Sequence, residues 1–232
     1  MIDLVDVTKT YDQGRRVVSA VRGVSLTVAG GEFVTIMGPS GSGKSTLMHL
    51  MGALDTPSSG RAIFQGRDLQ TMTDRERSLL RRNKIGFVFQ AFNLLPTLSA
   101  SENVALPLLL DGVGRRVAVA RALECLERVG LAPRADHYPD EMSGGEMQRV
   151  AVARALVAEP DAVICDEPTG NLDTTTSREV LGLLAELRTP TRVIIMVTHD
   201  TSAAQFGTRL VKIRDGVLES DQPVSRAFAL ER

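Results

Sequence analysis

Two stretches of this chain have the residues to hold phosphate, and they cannot easily serve the same one. The first is Gly38-Pro39-Ser40-Gly41-Ser42-Gly43-Lys44-Ser45. It follows a short apolar run, Phe33 to Met37, and opens a stretch rich in Leu, Met and Ala. That strand–loop–helix context is what a G-x-x-x-x-G-K-[ST] loop needs to cradle a nucleotide's phosphates. Its glycines let backbone N–H groups turn inward, and the helix start adds partial positive charge. Lys44 is then expected to reach the β- and γ-phosphates, and the Ser45 hydroxyl to ligate Mg2+. The second stretch, Ser143-Gly144-Gly145-Glu146, lies much later in the chain. Ser143 with Glu146 three residues on is a capping box. Two glycines at a helix start also expose backbone donors to an incoming anion. On the second reading this is half a phosphate site, which suggests a pair of chains with ATP between them.

Other candidates stand at the ends of apolar runs. Asp166-Glu167 follows Ala162-Val163-Ile164-Cys165. A carboxylate at a strand's C-terminal end faces the ligand crevice of a parallel α/β sheet. Asp166 is expected to hold Mg2+ through its hydration shell, and Glu167 to act as general base on the attacking water. Gln90 ends the run Ile85 to Phe89, where its amide could reach Mg2+ and that water. His199 follows Val193 to Val197, where its imidazole could contact the γ-phosphate and hold the water in line. Taken alone, a Gln or a His at a strand end is ordinary polar surface.

The elements that must position these groups alternate. Apolar stretches at Ile2 to Val7, Val17 to Val28, Phe33 to Met37, Ile85 to Phe89, Ala162 to Cys165, Val193 to Val197 and Arg209 to Ile213 read as strands. Lys44 to Leu54, Ser143 to Ala158 and Thr174 to Leu187 read as helices, with a breaker at Asp55 to Gly60. From Ser99 to Val129 the pattern is helical, with a capping box at Ser99 and Glu102 and apolar positions Val119, Leu123, Leu126 and Val129. Strand–helix alternation with apolar strands means a mostly parallel sheet covered on both faces. The expectation is an α/β phosphate-loop NTPase core with an N-terminal β subdomain and an inserted helical lobe. Residues 1–90 and 160–219 would form the core, about 91–159 the lobe, and 220–232 a polar tail with one short helix.

The bulk numbers narrow the class. The 232 residues can bury a full core, and 43% hydrophobic with 24% charged residues is ordinary for a globular protein. A net charge of −1 removes the electrostatic warrant for nucleic-acid binding. Two distant cysteines, Cys125 and Cys165, give neither a disulfide framework nor a metal site. The start lacks a basic segment followed by an apolar one, so no signal peptide is expected. The longest apolar run, Val104 to Leu110, contains Pro107 and is too short to span a bilayer. If the protein works at a membrane, another chain supplies the spanning helices.

The order of these motifs resembles the ATP-binding cassette (ABC) ATPase subunit of membrane transporters, over nearly the whole chain. Gly38 to Ser45 matches its Walker A loop, Gln90 its Q-loop and Met142 to Glu146 its signature. Ala162 to Glu167 matches Walker B, Asn171-Leu172-Asp173 the D-loop and His199 the switch histidine. Tyr11 lies where the family places an aromatic that stacks on adenine. The usual signature is Leu-Ser-Gly-Gly-Gln, so Met142 and Glu146 depart from it. The stretches Gln90 to Ser99 and Asp166 to Asp173 are similar to the bacterial lipoprotein-releasing, macrolide-export and cell-division branch.

The resemblance implies two copies paired head to tail, each ATP lying between Gly38–Thr46 of one and Ser143–Glu146 of the other. It implies a permease partner docked through Phe92, Leu94, Leu95 and Leu98, and a place on the cytoplasmic face of the inner membrane. Its function would be ATP hydrolysis driving export, lipoprotein release or mechanotransmission. The alternative is an ABC-type ATPase of DNA repair or translation, against which stand the missing heptads and the single phosphate loop.

Overall fold

The structure, a computed structural model, describes residues 1–12, 14 and 17–224. Its elements in chain order are β1 (Ile2–Asp12), β2 (Val17–Val28), β3 (Phe33–Met37), α1 (Lys44–Met51), β4 (Ser59–Phe64), β5 (Arg67–Asp68), α2 (Asp74–Lys84), β6 (Ile85–Phe89), α3 (Ala100–Leu110) and α4 (Arg115–Arg128). They continue with α5 (Gly144–Leu156), β7 (Ala162–Asp166), α6 (Thr174–Glu186), β8 (Val193–Thr198), β9 (Arg209–Arg214) and β10 (Val217–Pro223). The chain folds as two compact units: Met1–Arg81 with the chain from Arg188, and Arg82–Leu187.

In the first unit, β2-β1-β4-β5 form an antiparallel sheet. β3 pairs in parallel with both β8 and β9, and β9 turns back antiparallel onto β10. All residues of β3 and β8 are buried, as expected of strands covered on both faces. In the second unit β6 and β7 pair in parallel, and α3, α4 and α5 pack together.

The α/β class and the parallel strands are those read from the sequence; several boundaries differ. α1 stops at Met51 rather than Leu54, because Gly52 caps it and Ala53 takes a left-handed φ of 55°. The breaker expected through Gly60 ends sooner, since β4 begins at Ser59. The helical block from Ser99 is two helices, split at residues 111–114. The buried stripe of α4 is Ala118, Ala122, Cys125 and Leu126, whereas Leu123 is 43% exposed. Residues 220–223 continue β10 rather than opening a tail. A terminal helix beyond them would lie outside the described residues. Both cysteines are buried. No helix among the described residues is long and apolar enough to cross a membrane.

Candidate functional site

The phosphate loop is built by close approach of backbones within the first unit. A Cβ on Gly38 would run into the Ile213 carbonyl oxygen, and one on Gly43 into that of Ala20. Gly41 and Gly43 take φ of 76° and 97°, a region that side chains disfavour. α1 begins after Gly43 with no side chain capping it, so its first amides stay available to a ligand. The Lys44 ammonium, only 8% exposed, folds over the loop and donates to the carbonyls of Gly38 (2.8 Å) and Pro39 (2.9 Å). A depression of about 180 Å³ lies at the loop, lined by Ala20, Gly41, Gly43, Lys44, Ser45 and Thr46. Pro39, Ser40 and Ser45 are exposed, and Ser42 is buried. Ala20 carries no sequence signal, since strand β2 delivers it from far along the fold.

Register places His199 near this loop. Met37 pairs with Thr198 across the parallel β3–β8 ladder. Gly38 and His199 therefore leave the same ends of neighbouring strands, and the imidazole is exposed. Tyr11, on β1, donates its hydroxyl to Asp55 (3.0 Å). The Lys9 ammonium stands 5.1 Å from its ring centroid and also binds Asp55 at 2.6 Å. Burial and the bond to Asp55 raise the Tyr11 hydroxyl above its ordinary pKa. Burial opposes ionisation of Asp55, yet hydrogen bonds from Lys9, Thr56 and Tyr11 outweigh it and hold the carboxyl below its ordinary 3.8.

In the second unit, Phe89 pairs with Asp166 across the β6–β7 ladder, which brings Gln90 and Glu167 to the same strand ends. Asp166 and Glu167 are half-buried, and Glu167 holds a left-handed φ of 47°. Gln90 and Asn171 exchange hydrogen bonds: Gln90 Nε2 donates to Asn171 Oδ1 (3.0 Å), and Asn171 Nδ2 donates to the Gln90 carbonyl (3.1 Å). A Cβ on Gly170 would press on the Gln90 amide at 2.7 Å, so the turn before Asn171 packs directly on Gln90. The loop beyond Gln90 is held by Arg154, which donates to the carbonyls of Asn93 (2.5 Å) and Phe92 (2.9 Å). Asn103, fully buried, accepts from the Leu95 amide and donates to the Leu95, Leu98 and Ser99 carbonyls. Leu95 itself is 44% exposed, whereas Phe92, Leu94 and Leu98 are half-buried.

Ser143 caps α5 and forms the full capping box. Its hydroxyl accepts from the Glu146 amide (3.3 Å), and the Glu146 carboxylate accepts from the Ser143 amide (2.8 Å). Arg134 donates to the other carboxylate oxygen at 3.0 Å. The bond from the Ser143 amide holds the Glu146 carboxyl below its ordinary 4.5 despite some burial, with help from the Ser143 hydroxyl and Arg134. Gly145 lies against Thr176 of α6 so closely that an added Cβ would overlap Thr176 Cγ2. Asp173 caps α6, accepting from the amides of Thr175 (3.0 Å) and Thr176 (3.1 Å) and from the Thr176 hydroxyl (2.6 Å). Those bonds, led by the Thr176 hydroxyl, hold its carboxyl below 3.8. Arg134 and Arg154 went unread in the sequence because both act across loops, on partners no local pattern marks.

The family model described as "ABC transporter" matches residues 21–170. Among curated relatives, the "Macrolide export ATP-binding/permease protein MacB" of Chlorobaculum tepidum is 50% identical over 96% of this chain and 34% of its own length. An uncharacterized ABC transporter ATP-binding protein of Thermotoga maritima is 49% identical over 94% of both chains. The chain thus spans about a third of the macrolide-export relative and nearly all of the second. Among solved structures, a dimeric post-hydrolysis state of the MJ0796 cassette, bound to ADP and Pi, superposes with a TM-score of 0.88. It is 42% identical and covers 97% of this chain and 99% of its own. Both curated relatives are transporter ATP-binding proteins, the reading preferred above over a DNA-repair or translation ATPase. The chain belongs to the ABC transporter family and is one of its ATPase cassettes.

Proposed function

We propose that this cassette works as a head-to-tail pair closed around two ATP molecules and drives a membrane permease. Gly38 to Thr46 hold the phosphates of each ATP, with Lys44 on the β- and γ-phosphates. Ser143 to Glu146 of the second copy complete the cradle, with Asp173 beside it. Tyr11 receives the adenine. Residues 1–90 and 160–219 form the nucleotide-binding core, and 91–159 the lobe that meets the permease.

The observation that supports the pair is the dimeric, ADP- and Pi-bound relative. Within this chain, α1 and α5 each begin with backbone amides that no helix turn can satisfy. Such helix starts favour anions.

Hydrolysis needs a base, a positioned water and charge neutralisation at the γ-phosphate. Glu167 takes the proton of the attacking water, while His199 and Gln90 hold that water in line. Asn171 engages the Gln90 Nε2 and backbone carbonyl, and the Gln90 Oε1 is the atom that would face that water. Ser45, Gln90 and Asp166 supply only oxygen donors, the set that suits Mg2+ rather than a softer ion. Bound there, Mg2+ would neutralise phosphate charge.

The permease partner carries the membrane-spanning helices, and it seats this chain on the cytoplasmic face of the inner membrane. The macrolide-export relative's name points to export, with lipoprotein release and mechanotransmission as the other outputs of this reading.

The test is Glu167→Gln with MgATP, followed by size-exclusion chromatography with light scattering. A stable dimer without hydrolysis is expected, and the wild-type chain should return to monomer as ATP is consumed. A Glu167→Gln variant that stays monomeric at saturating MgATP would sink the sandwich reading.

A further inference from the structure

Between the two groups proposed for hydrolysis runs one buried amide. Gln148, on α5, is fully buried. Its Nε2 donates to the Pro168 carbonyl at 2.6 Å and to the Phe89 carbonyl at 3.3 Å. Phe89 is the residue before Gln90, and Pro168 the residue after Glu167. A single side chain therefore fixes the backbone next to both.

The neighbours of that amide fix its orientation. Both neighbours are carbonyl oxygens and can only accept, so the NH2 end must face them. Its Oε1 is left buried without a hydrogen-bond partner among the described residues. A buried acceptor without a partner is costly, and a Met or Leu of similar size would fill the space without that cost. The side chain's use therefore lies in its two N–H groups.

What they hold is a strained turn. Glu167 sits at φ 47°, a conformation that persists only when its surroundings over-determine it. The Gly170 amide closes one side of the turn by donating to the Glu167 carbonyl at 3.0 Å. Gln148 closes the other at Pro168 and ties it to the end of β6. α5 is also the helix that begins at Ser143. Any displacement of its first turn that rotates α5 is delivered by Gln148 to the Glu167 turn and to Gln90 together.

We propose that Gln148 is the positioning residue of the hydrolytic step, aligning Glu167 and Gln90 with each other and coupling both to the signature helix. This rests on the reading of Glu167 as base and Gln90 as water-orienting group. Its hydrogen bonds go to the backbone beside Glu167 and Gln90, so it affects turnover rather than ATP binding. A misplacement of about 1 Å can cost roughly 100-fold in rate.

The experiment compares Gln148→Met and Gln148→Glu with wild type, as ATPase kcat and KM per folded molecule across pH, with folded fraction from circular dichroism. Glu167→Gln is run beside them. For Gln148→Met, kcat should fall roughly 10- to 100-fold with KM within about twofold. In Gln148→Glu, only the protonated acid can donate to Pro168, so its kcat relative to wild type should rise as pH falls. The Gln148→Met ratio should stay flat. Parallel loss of kcat and KM in Gln148→Met, or unchanged kcat, overturns the proposal. If Gln148→Met does not fold, the Gln148→Glu pH ratio decides: rising supports it, flat overturns it. Continued hydrolysis by Glu167→Gln would instead remove the reading of Glu167 on which this rests, whatever Gln148 does.

Discussion

Gly145 offers a test that separates what the fold requires from what the ligand requires. Gly145 is the second residue of α5, and an Ala there would place its methyl against Thr176 Cγ2, closer than the 3.0 Å that real Cβ atoms respect. Thr176 cannot simply turn away. Its hydroxyl donates to Asp173 Oδ2 at 2.6 Å, so rotating χ1 to move the methyl breaks that bond. Overpacking of this kind costs about 1–3 kcal/mol. Against it stands the gain of Ala over Gly in a helix, at most about 1 kcal/mol and less in the first turn. The clash wins, and Gly145→Ala should be destabilised by about 1–2 kcal/mol net.

The partner substitution is Thr176→Ser, which deletes Cγ2 and keeps the hydroxyl on Asp173. In that background Gly145→Ala should be neutral or slightly stabilising, giving a coupling energy of about 1–3 kcal/mol. The chain has no Trp, so urea unfolding is followed by circular dichroism. Additivity of the two substitutions within about 0.5 kcal/mol would refute the steric argument. MgATP-driven dimerisation of the double variant, in the Glu167→Gln background, then asks the second question. If stability returns and dimerisation does not, Gly145 is needed by the ligand as well as by Thr176.

Gly144→Ala should leave stability unchanged or raise it by up to about 1 kcal/mol, because a Cβ there meets only Leu172 Cδ2 at 3.4 Å and Phe92 Cζ at 3.7 Å among the described residues; it should nonetheless abolish the MgATP dimer, seen by light scattering. The Glu146 carboxyl is held below 4.5 in the fold, so its contribution is present above that pH and lost as pH falls through the lowered value. The urea midpoints of wild type and Glu146→Gln should therefore converge below pH 4.5, and a constant gap would refute this. Asp173→Ala should lower the melting temperature and Asp173→Asn restore most of it, since an Asn oxygen can still accept from the Thr175 and Thr176 amides. Arg154→Met should speed hydrogen exchange of residues 91–95 well before global unfolding, because the Phe92 and Asn93 carbonyls lose their donor.

What could be read in the sequence was what local constraints determine. The phosphate loop was legible because a buried strand, positive-φ glycines and a helix start follow one another without a gap. The strand-end positions of Gln90, Asp166, Glu167 and His199 were legible for the same reason. α2 buries none of its residues, and its one local signal is the capping box of Thr73 and Glu76 at its start. β10 was hidden because it is an exposed polar strand with no fully buried residue. In α4 the packing stripe is mostly alanines and a cysteine, so the larger Val119 and Leu123 mark a less buried face in the sequence pattern. The links that organise the site were beyond reach altogether. Gln148 to Phe89 and Arg154 to Asn93 join residues 59 and 61 apart, and no periodicity announces such a pair.

Ser143 to Glu146 had two readings in the sequence, a capped helix and half of a phosphate cradle, and the geometry shows why neither excludes the other. The capping box uses the amides of Ser143 and Glu146, one bonded by the Glu146 carboxylate and the other by the Ser143 hydroxyl. The amides of Gly144 and Gly145 remain, at positions where a helix offers its N–H groups no partner of its own. The cap and the cradle thus draw on different atoms of the same turn. The same division bears on Glu146, where a Gln is usual. Its carboxylate would repel a phosphate only if it faced one; here one oxygen accepts from Ser143 and the other from Arg134. The cap therefore holds the departing residue of the signature out of the way of the two amides that the cradle would use. Arg134 is half of that arrangement, and removing it leaves a carboxylate with one bond in place of two at the mouth of a proposed anion site. Arg134→Ala should then weaken MgATP-driven dimerisation of Glu167→Gln, and Arg134→Ala with Glu146→Gln should restore it, since the neutral amide has no charge to compensate.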